Sequence, residues 1–437
     1  MNNSPLITEF SLRSLGRAAL FLIVVGLALL ALAVETLRVA IVATWGESGE
    51  VPKLRRALAL DPRNPDLYHK RGMIYAYGLE PLDFARGLHD LRRATELNPG
   101  VAVYWLDLGA ACESAADSAC AGAAFARALD LSPMTPRVRW VVANHDLRVG
   151  RTEAALRHFR ELLALSPKYA WPSFRMCIQI LNDPQAVFDK LLPSANLELK
   201  LAFVNFLSAN AGAGAAYPIW LQTVAQEPSV PWTSAEPYLE GLLRQGRTRE
   251  ALSVWKVVEK SGSLFPARDD AENLVFNGGF EQAPLNAGFD WRYRKAPGVA
   301  ADFSDPSARQ GRRCLRLDFT VSSNQEFEPV VQLVPVSPNQ EYVLTASARS
   351  ENITSNSGPR LRVLDPDCPH CLDVTTETTV ATTPWHTVSA RFATGAETRF
   401  LRLSVWRPRS RSFPTEITGQ FWLDAVSLKP QKQVPES

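Results

Sequence analysis

The chain has 437 residues, too many for one ordinary domain. Hydrophobic residues make up 46% and charged residues 21%, which excludes a disordered chain. A net charge of +2 excludes a dedicated basic nucleic-acid binder, and six cysteines are too few for a disulfide scaffold.

In chain order, the first feature is an apolar run of 17 residues from Ala18 to Val34, resuming at Val39-Ala40-Ile41-Val42. A membrane-spanning helix needs about 20 such residues. Arg13 and Arg17 precede the run and place the N-terminus in the cytoplasm by the positive-inside rule. Lys53, Arg55 and Arg56 follow it and oppose that orientation, balanced by Glu35, Glu47 and Glu50. A second reading is a cleaved signal peptide, with Ala31-Leu32-Ala33 as the cleavage pattern. The apolar residues after Arg38 favour the retained anchor. A buried solenoid helix is disfavoured because Ala18 to Val34 has no polar face.

From Leu54 to Pro167 the chain repeats itself. Four segments end alike, at Leu60-Asp61-Pro62, Leu97-Asn98-Pro99, Leu131-Ser132-Pro133 and Leu165-Ser166-Pro167. Their prolines are 37, 34 and 34 residues apart. In the best copy Trp105, Leu108 and Gly109 fall in a first helix, then Ala121, Phe125, Ala128 and Pro133 in and after a second. Small residues let two helices approach, large ones fill between them, and proline ends the pair. This stretch resembles the tetratricopeptide repeat family. The resemblance implies stacked helix pairs with a concave face that holds a protein partner. Tyr68, Tyr104 and Arg139 lie in or near first helices, each with packing as its alternative role. The first repeat has only its second helix (Leu54, Ala57, Pro62), and the membrane helix up to Trp45 supplies the partner. An insertion falls near Gly78-Leu79-Glu80-Pro81. Beyond Pro167 the period weakens, yet Ala216, Trp220 and Pro228, then Gly246 to Leu252 with Trp255, continue it to about Lys260. Cys112 and Cys120 flank an inter-helix turn, as a disulfide or as two buried thiols.

Ser261-Gly262-Ser263-Leu264-Phe265-Pro266 breaks the helices, and alternating strand patterns begin after Asn273. About eight strands predict a β-sandwich of the jelly-roll kind. Asn273 to Glu281, Trp291, Gly311 to Leu317 and Trp422 to Leu428 resemble the galactose-binding-like carbohydrate-binding modules. That resemblance implies first and last strands side by side, with Glu281 and Asp424 contributing to a structural calcium site. It also implies a glycan ligand stacked on an aromatic ring. Candidates are Trp406 with Arg407 and Arg409 of the basic loop 407–411, then Trp291 and Tyr293 beside Arg292 and Arg294. Phe327, Trp385 and Trp422 are the remaining aromatics, the last two expected in the core. Arginines beside an aromatic suit an acidic polysaccharide. Cys368-Pro369-His370-Cys371 matches a thiol-oxidant motif, but it lies in a turn between strands with no helix to follow, so a local disulfide is expected. Zinc would need two further ligands.

The expected class is multidomain α plus β, with a membrane helix, a tetratricopeptide-type α-solenoid and a C-terminal β-sandwich. The division is 1–17 cytoplasmic, 18–45 anchor, 46–260 helical repeats, 261–272 linker, 273–430 sandwich and 431–437 tail. The expected function is a non-enzymatic scaffold in the bacterial inner membrane, its bulk in the periplasm, binding protein through the repeats and a surface polysaccharide through the sandwich. The alternatives are a protein-only assembly factor and a polysaccharide hydrolase. No nucleophile, metalloprotease or phosphate-loop motif supports catalysis. Partners are a protein, a polysaccharide and the membrane, with no nucleic acid.

Overall fold

The computed structural model describes residues 15–78, 82–193, 195–227, 229–264, 270 and 272–431. Arg13, the insertion residues Leu79, Glu80 and Pro81, the repeat proline Pro228 and the helix-breaking Phe265-Pro266 lie outside the described residues. The chain forms two compact units, Met1–Tyr169 and Ala170–Ser437. Among the described residues fourteen α-helices precede two antiparallel sheets, so the class is multidomain α plus β.

The first unit begins with α1 (Leu15–Gly46) and α2 (Val51–Leu60). Residues Ala18–Gly46 form one helix long and apolar enough to cross a membrane, with a mean hydropathy of 2.7 over its most apolar window. Leu20 to Val39 expose their large apolar side chains. The last turns behave differently. Val42 and Trp45 pack with Leu54, Leu58 and Leu67, so α1 completes the first helix pair, as its sequence position predicts.

Three further pairs follow: α3 (Pro65–Tyr77) with α4 (Phe84–Leu97), α5 (Ala102–Ser114) with α6 (Ser118–Leu131), and α7 (Pro136–Arg148) with α8 (Thr152–Leu165). Asn64, Asp83 and Asp117 cap α3, α4 and α6 by accepting amide hydrogens of the first turn. Gly109 is small for a packing reason. A Cβ there would come 2.6 Å from the Phe125 ring, so any side chain would push α5 off α6.

The second unit opens with six helices: α9 (Ala170–Leu181), α10 (Pro184–Leu191), α11 (Leu197–Ala211), α12 (Ala213–Gln226), α13 (Trp232–Arg244) and α14 (Thr248–Lys260). The irregular middle is the eight-residue α10. Trp220 and Trp255, the expected large residues of second helices, are fully buried.

Ten strands follow among the described residues: β1 (Arg292–Tyr293), β2 (Val299–Asp305), β3 (Cys314–Val321), β4 (Phe327–Pro335), β5 (Glu341–Ile353), β6 (Arg360–Leu364), β7 (Asp373–Thr375), β8 (Ala381–Ala393), β9 (Phe400–Arg407) and β10 (Ile417–Pro430). The first sheet runs β1-β4-β9-β6-β7 and the second β2-β3-β10-β5-β8. Their inner faces share one core that includes Phe280, Leu317, Leu344, Leu403 and Leu423. The opening Asn277-Gly278-Gly279-Phe280-Glu281 is turn, not strand, with Asn277 and Phe280 at positive φ. It still lies against the last strand, through Leu274 N to Leu428 O and Val426 N to Gly278 O, both 2.9 Å.

Composition changes at residue 261, but packing continues across it. Trp255 of α14 meets Phe276 and Phe289 edge-on, with ring centroids 5.0 and 5.9 Å apart. Glu240 of α13 accepts from the Gly288 amide at 2.7 Å and pairs with Arg292 at 2.6 Å. Gly288 has φ +60 and lies directly on the Trp255 ring. A side chain there would be strained and would strike the indole.

Candidate functional site

The outer face of the first sheet gathers the polar and aromatic side chains that strand alternation turns away from the core. On β9, Leu401, Leu403 and Val405 point inward, which turns Arg402, Ser404 and Trp406 outward. On β6, Leu361 and Val363 point inward, which turns Arg360 and Arg362 outward. The pairing register sets Arg360 opposite Trp406 and Arg362 opposite Ser404.

Trp406 is half-buried. Its Nε1 donates to Glu326 at 2.8 Å. The Arg362 guanidinium stands 4.6 Å from the ring centroid and that of Arg360 5.8 Å. Arg362 donates twice to Asp373, at 2.8 and 2.7 Å, and these bonds hold the Asp373 carboxyl below its ordinary range. Glu328 accepts from Ser404 at 2.8 Å and pairs with Arg402. Arg360 differs from these. Its Nε is buried without a hydrogen-bond partner, and desolvation lowers its pKa with no carboxylate opposing the shift.

The aromatic and basic residues expected beside Trp406 are placed otherwise. Arg407 alternates inward and is fully buried. It donates to the carbonyls of Ser357, Gln325 and Thr415 and to Ser355 Oγ, tying three loops together. It is a structural arginine and not a ligand contact. Arg409 is exposed on the loop after β9. Trp291 is fully buried, stacked 5.2 Å from Phe280, with its Nε1 donating to Asn277 O at 3.0 Å. Tyr293 packs on the core edge and donates to Val299 O at 3.2 Å. Trp291 offers no face to a sugar, and Tyr293 is half-buried with its hydroxyl engaged. Phe327 and Trp422 are buried and Trp385 is half-buried.

Glu281 and Asp424 are brought to one loop, residues 309–313. Asp424 is fully buried. Its Oδ2 accepts from Arg309 N and Gln310 N at 2.7 and 2.8 Å, and its Oδ1 from Ala425 N at 2.6 Å. Burial, and to a lesser degree the nearby Glu281 charge, raise its pKa. Glu281 accepts from Arg312 N at 2.8 Å and Arg313 N at 3.3 Å, both on Oε1. Both carboxylates, with Gly279 and Gln310, line a cavity of about 790 Å³. Among the described residues no hydrogen bond falls on Glu281 Oε2. Two neighbouring carboxylates, one of them buried, fit a hard cation in their donor chemistry.

Cys112 is joined to Cys120 across α5 and α6, and Cys368 to Cys371 in the turn between β6 and β7. His370 Nε2 lies 3.4 Å from Cys368 Sγ, but both thiols are used in the disulfide. Asp365 caps this turn by accepting from Asp367 N and Cys368 N.

On the repeats, the expected partner-facing residues are held within the array. Tyr104 is buried and donates to Asp66. Arg139 donates to Pro133 O at 2.6 Å and pairs with Glu161. Tyr68 is half-buried, with Arg71 5.5 Å over its ring.

No family model matches the chain, and no curated protein matches it. Solved structures of two kinds resemble it. A CBM4 module is 15% identical with a TM-score of 0.27, over 36% of this chain and 99% of its own. MamA is 27% identical with a TM-score of 0.23, over 26% of this chain and 65% of its own. The Cut9–Hcn1 hetero-tetramer of the APC/C is 16% identical with a TM-score of 0.28, over 40% of this chain and 36% of its own. At these TM-scores the likenesses do not decide a function.

Proposed function

We propose that the chain is a non-enzymatic, membrane-anchored scaffold of the bacterial inner membrane. The membrane segment is α1, the bulk lies in the periplasm, the helical repeats bind a protein, and the outer face of the first sheet binds a glycan. The observation that carries the glycan reading is the row Arg402, Ser404, Trp406 beside Arg360 and Arg362, a ring flanked by fixed hydrogen-bonding groups. The two disulfides support an exported location. The carboxylates on this face are held by arginine or indole hydrogens, whereas a glycosidase acid must keep its proton near neutral pH. A surface polysaccharide under synthesis or export is the ligand this arrangement suits.

Calcium belongs to the same proposal. Glu281 and Asp424 would hold it, and its charge would relieve the repulsion between them. Thermal unfolding of the full chain with calcium and with chelator tests this. A higher melting temperature with calcium, lost in Asp424→Asn, is expected; equal melting temperatures contradict it.

The glycan reading is tested by screening the full chain in detergent against a glycan array, with Trp406→Ala alongside. Binding by the parent and loss in the variant is the expected outcome. A folded chain that binds no glycan leaves the second reading, a protein-only assembly factor. That reading is favoured by Trp291 and Tyr293 being used in the core and by Arg362 covering part of Trp406.

A further inference from the structure

Among the described residues, no ion pair or side-chain hydrogen bond answers the charge of Arg360 on the outer face of the first sheet. Glu328 serves Arg402 and Ser404, Asp373 serves Arg362, and Glu326 accepts from Trp406. Glu377 follows β7 on the Arg360 side of the sheet, but its carboxylate accepts from Ser389 N at 2.8 Å. No carboxylate among the described residues pairs with Arg360, and its Nε is buried without an acceptor. Arg360 is half-buried, and desolvating part of a guanidinium with no counter-ion beside it is costly; an anion is the usual remedy.

We propose that Arg360, beside Trp406, is a subsite for the carboxylate of a uronate-containing acidic glycan. This rests on the glycan reading above and names its ligand class. A guanidinium matches a carboxylate in a planar, two-point geometry, and the neighbouring indole takes the apolar face of the sugar ring. The rest of the face selects a sugar over an acidic peptide. Glu326, Glu328 and Asp373 offer carboxylate acceptors to the several hydroxyls of each sugar ring, groups that an acidic peptide does not carry. The site also lies on inner strands, with β9 between β4 and β6, and β6 between β9 and β7. No open strand edge is there for a peptide backbone to extend.

The test is equilibrium binding of the full chain in detergent. The probes are polygalacturonate, alginate and hyaluronate, the same polymers after carboxyl reduction, and poly-glutamate. Arg360→Met removes the charge at similar length, and Arg391→Ala removes an exposed charge on β8 of the second sheet as control. At least one uronate polymer is expected to bind, weakened about 10- to 100-fold by Arg360→Met and by carboxyl reduction, the range of one charged hydrogen-bonded contact. Arg391→Ala should change affinity less than about 3-fold. Arg360→Met should melt no lower than the parent, because the lost charge had no partner. Equal binding of native and reduced polymers would overturn the acidic subsite and leave the glycan reading intact. Binding of poly-glutamate alone, or of nothing by a folded chain, would overturn both.

Discussion

Each sheet of the sandwich carries a tryptophan with an arginine over it on its outer face, and the two sites differ in charge balance. On the second sheet, Trp422 is opposite Arg316 and Arg349 in register, and Arg349 lies 4.5 Å over its ring. Arg349 is paired with Glu351, and Arg316 with Asp305, Asp318 and Asp302 at 2.7, 3.1 and 3.7 Å. Trp422 is 4% exposed. On the first sheet, Trp406 is half-buried and Arg360 has no acid beside it among the described residues. The same residue pair therefore makes a closed patch on one face, where the arginines are paired and only the buried Trp422 Nε1 lacks an acceptor, and on the other face a more open patch whose arginine is unpaired. Incomplete polar groups are where a ligand gains most, because it supplies what the fold withholds.

The comparison breaks if the two tryptophans respond alike to truncation. Trp422→Ala should cost about 3–5 kcal/mol in denaturant unfolding, the range for a buried aromatic. Trp406→Ala should cost less, about 1–2 kcal/mol, since the ring is only half-buried and lies outside the core. Equal losses would mean that Trp406 is a core residue.

The arginines sharpen it further. Arg407→Ala should cost about 3 kcal/mol, because its removal strands the loop carbonyls it bridges, while Arg409→Ala should be near neutral. Chemical denaturation of both variants checks this. Similar values would show that the buried and exposed arginines of the loop are equivalent.

A third prediction concerns Asp290, whose pKa burial raises to about 6, partly opposed by the amides of Leu285 and Trp291. Such a carboxyl holds its proton more tightly folded than unfolded. Its contribution is complete below about pH 4, the unfolded value, and is lost as pH rises through about 6. The size is about 2–3 kcal/mol. Asp290→Asn should flatten that part of the stability–pH profile; an unchanged profile would contradict the burial argument.

The smallest expected effect is at the junction of helices and sandwich. Glu240→Ala should cost about 1–2 kcal/mol, because it leaves Arg292 half-buried without its carboxylate. No change in unfolding would mean that Trp255 alone holds α14 to the sandwich.

The helical repeats were legible because the signal is local. Gly109, Phe125 and Pro133 recur at a fixed period, and each does its work within one helix pair. The strands were legible where alternation is regular, as in β9. The short β1 and β7 and the seven-residue β2 were not, being too brief or too polar to stand out. At the site, Trp406 was singled out by the basic loop that follows it, but neither the direction of its ring nor its cross-strand neighbours were legible. Arg360 and Trp406 are 46 positions apart in sequence, and only the β6–β9 register brings them together. Proximity in sequence pointed instead to Arg407, which the alternation of β9 turns into the core. Trp291 and Tyr293 failed for a related reason, since an aromatic beside arginines reads alike whether the ring faces out or in.

The most direct test of the account is hydroxyl-radical footprinting of the full chain with and without a bound uronate polymer. The account predicts that Trp406 is modified in the free chain and protected in the complex, while Trp422 is unmodified in both. A bound polymer that leaves Trp406 as reactive as before would contradict the assignment of this face as the glycan site.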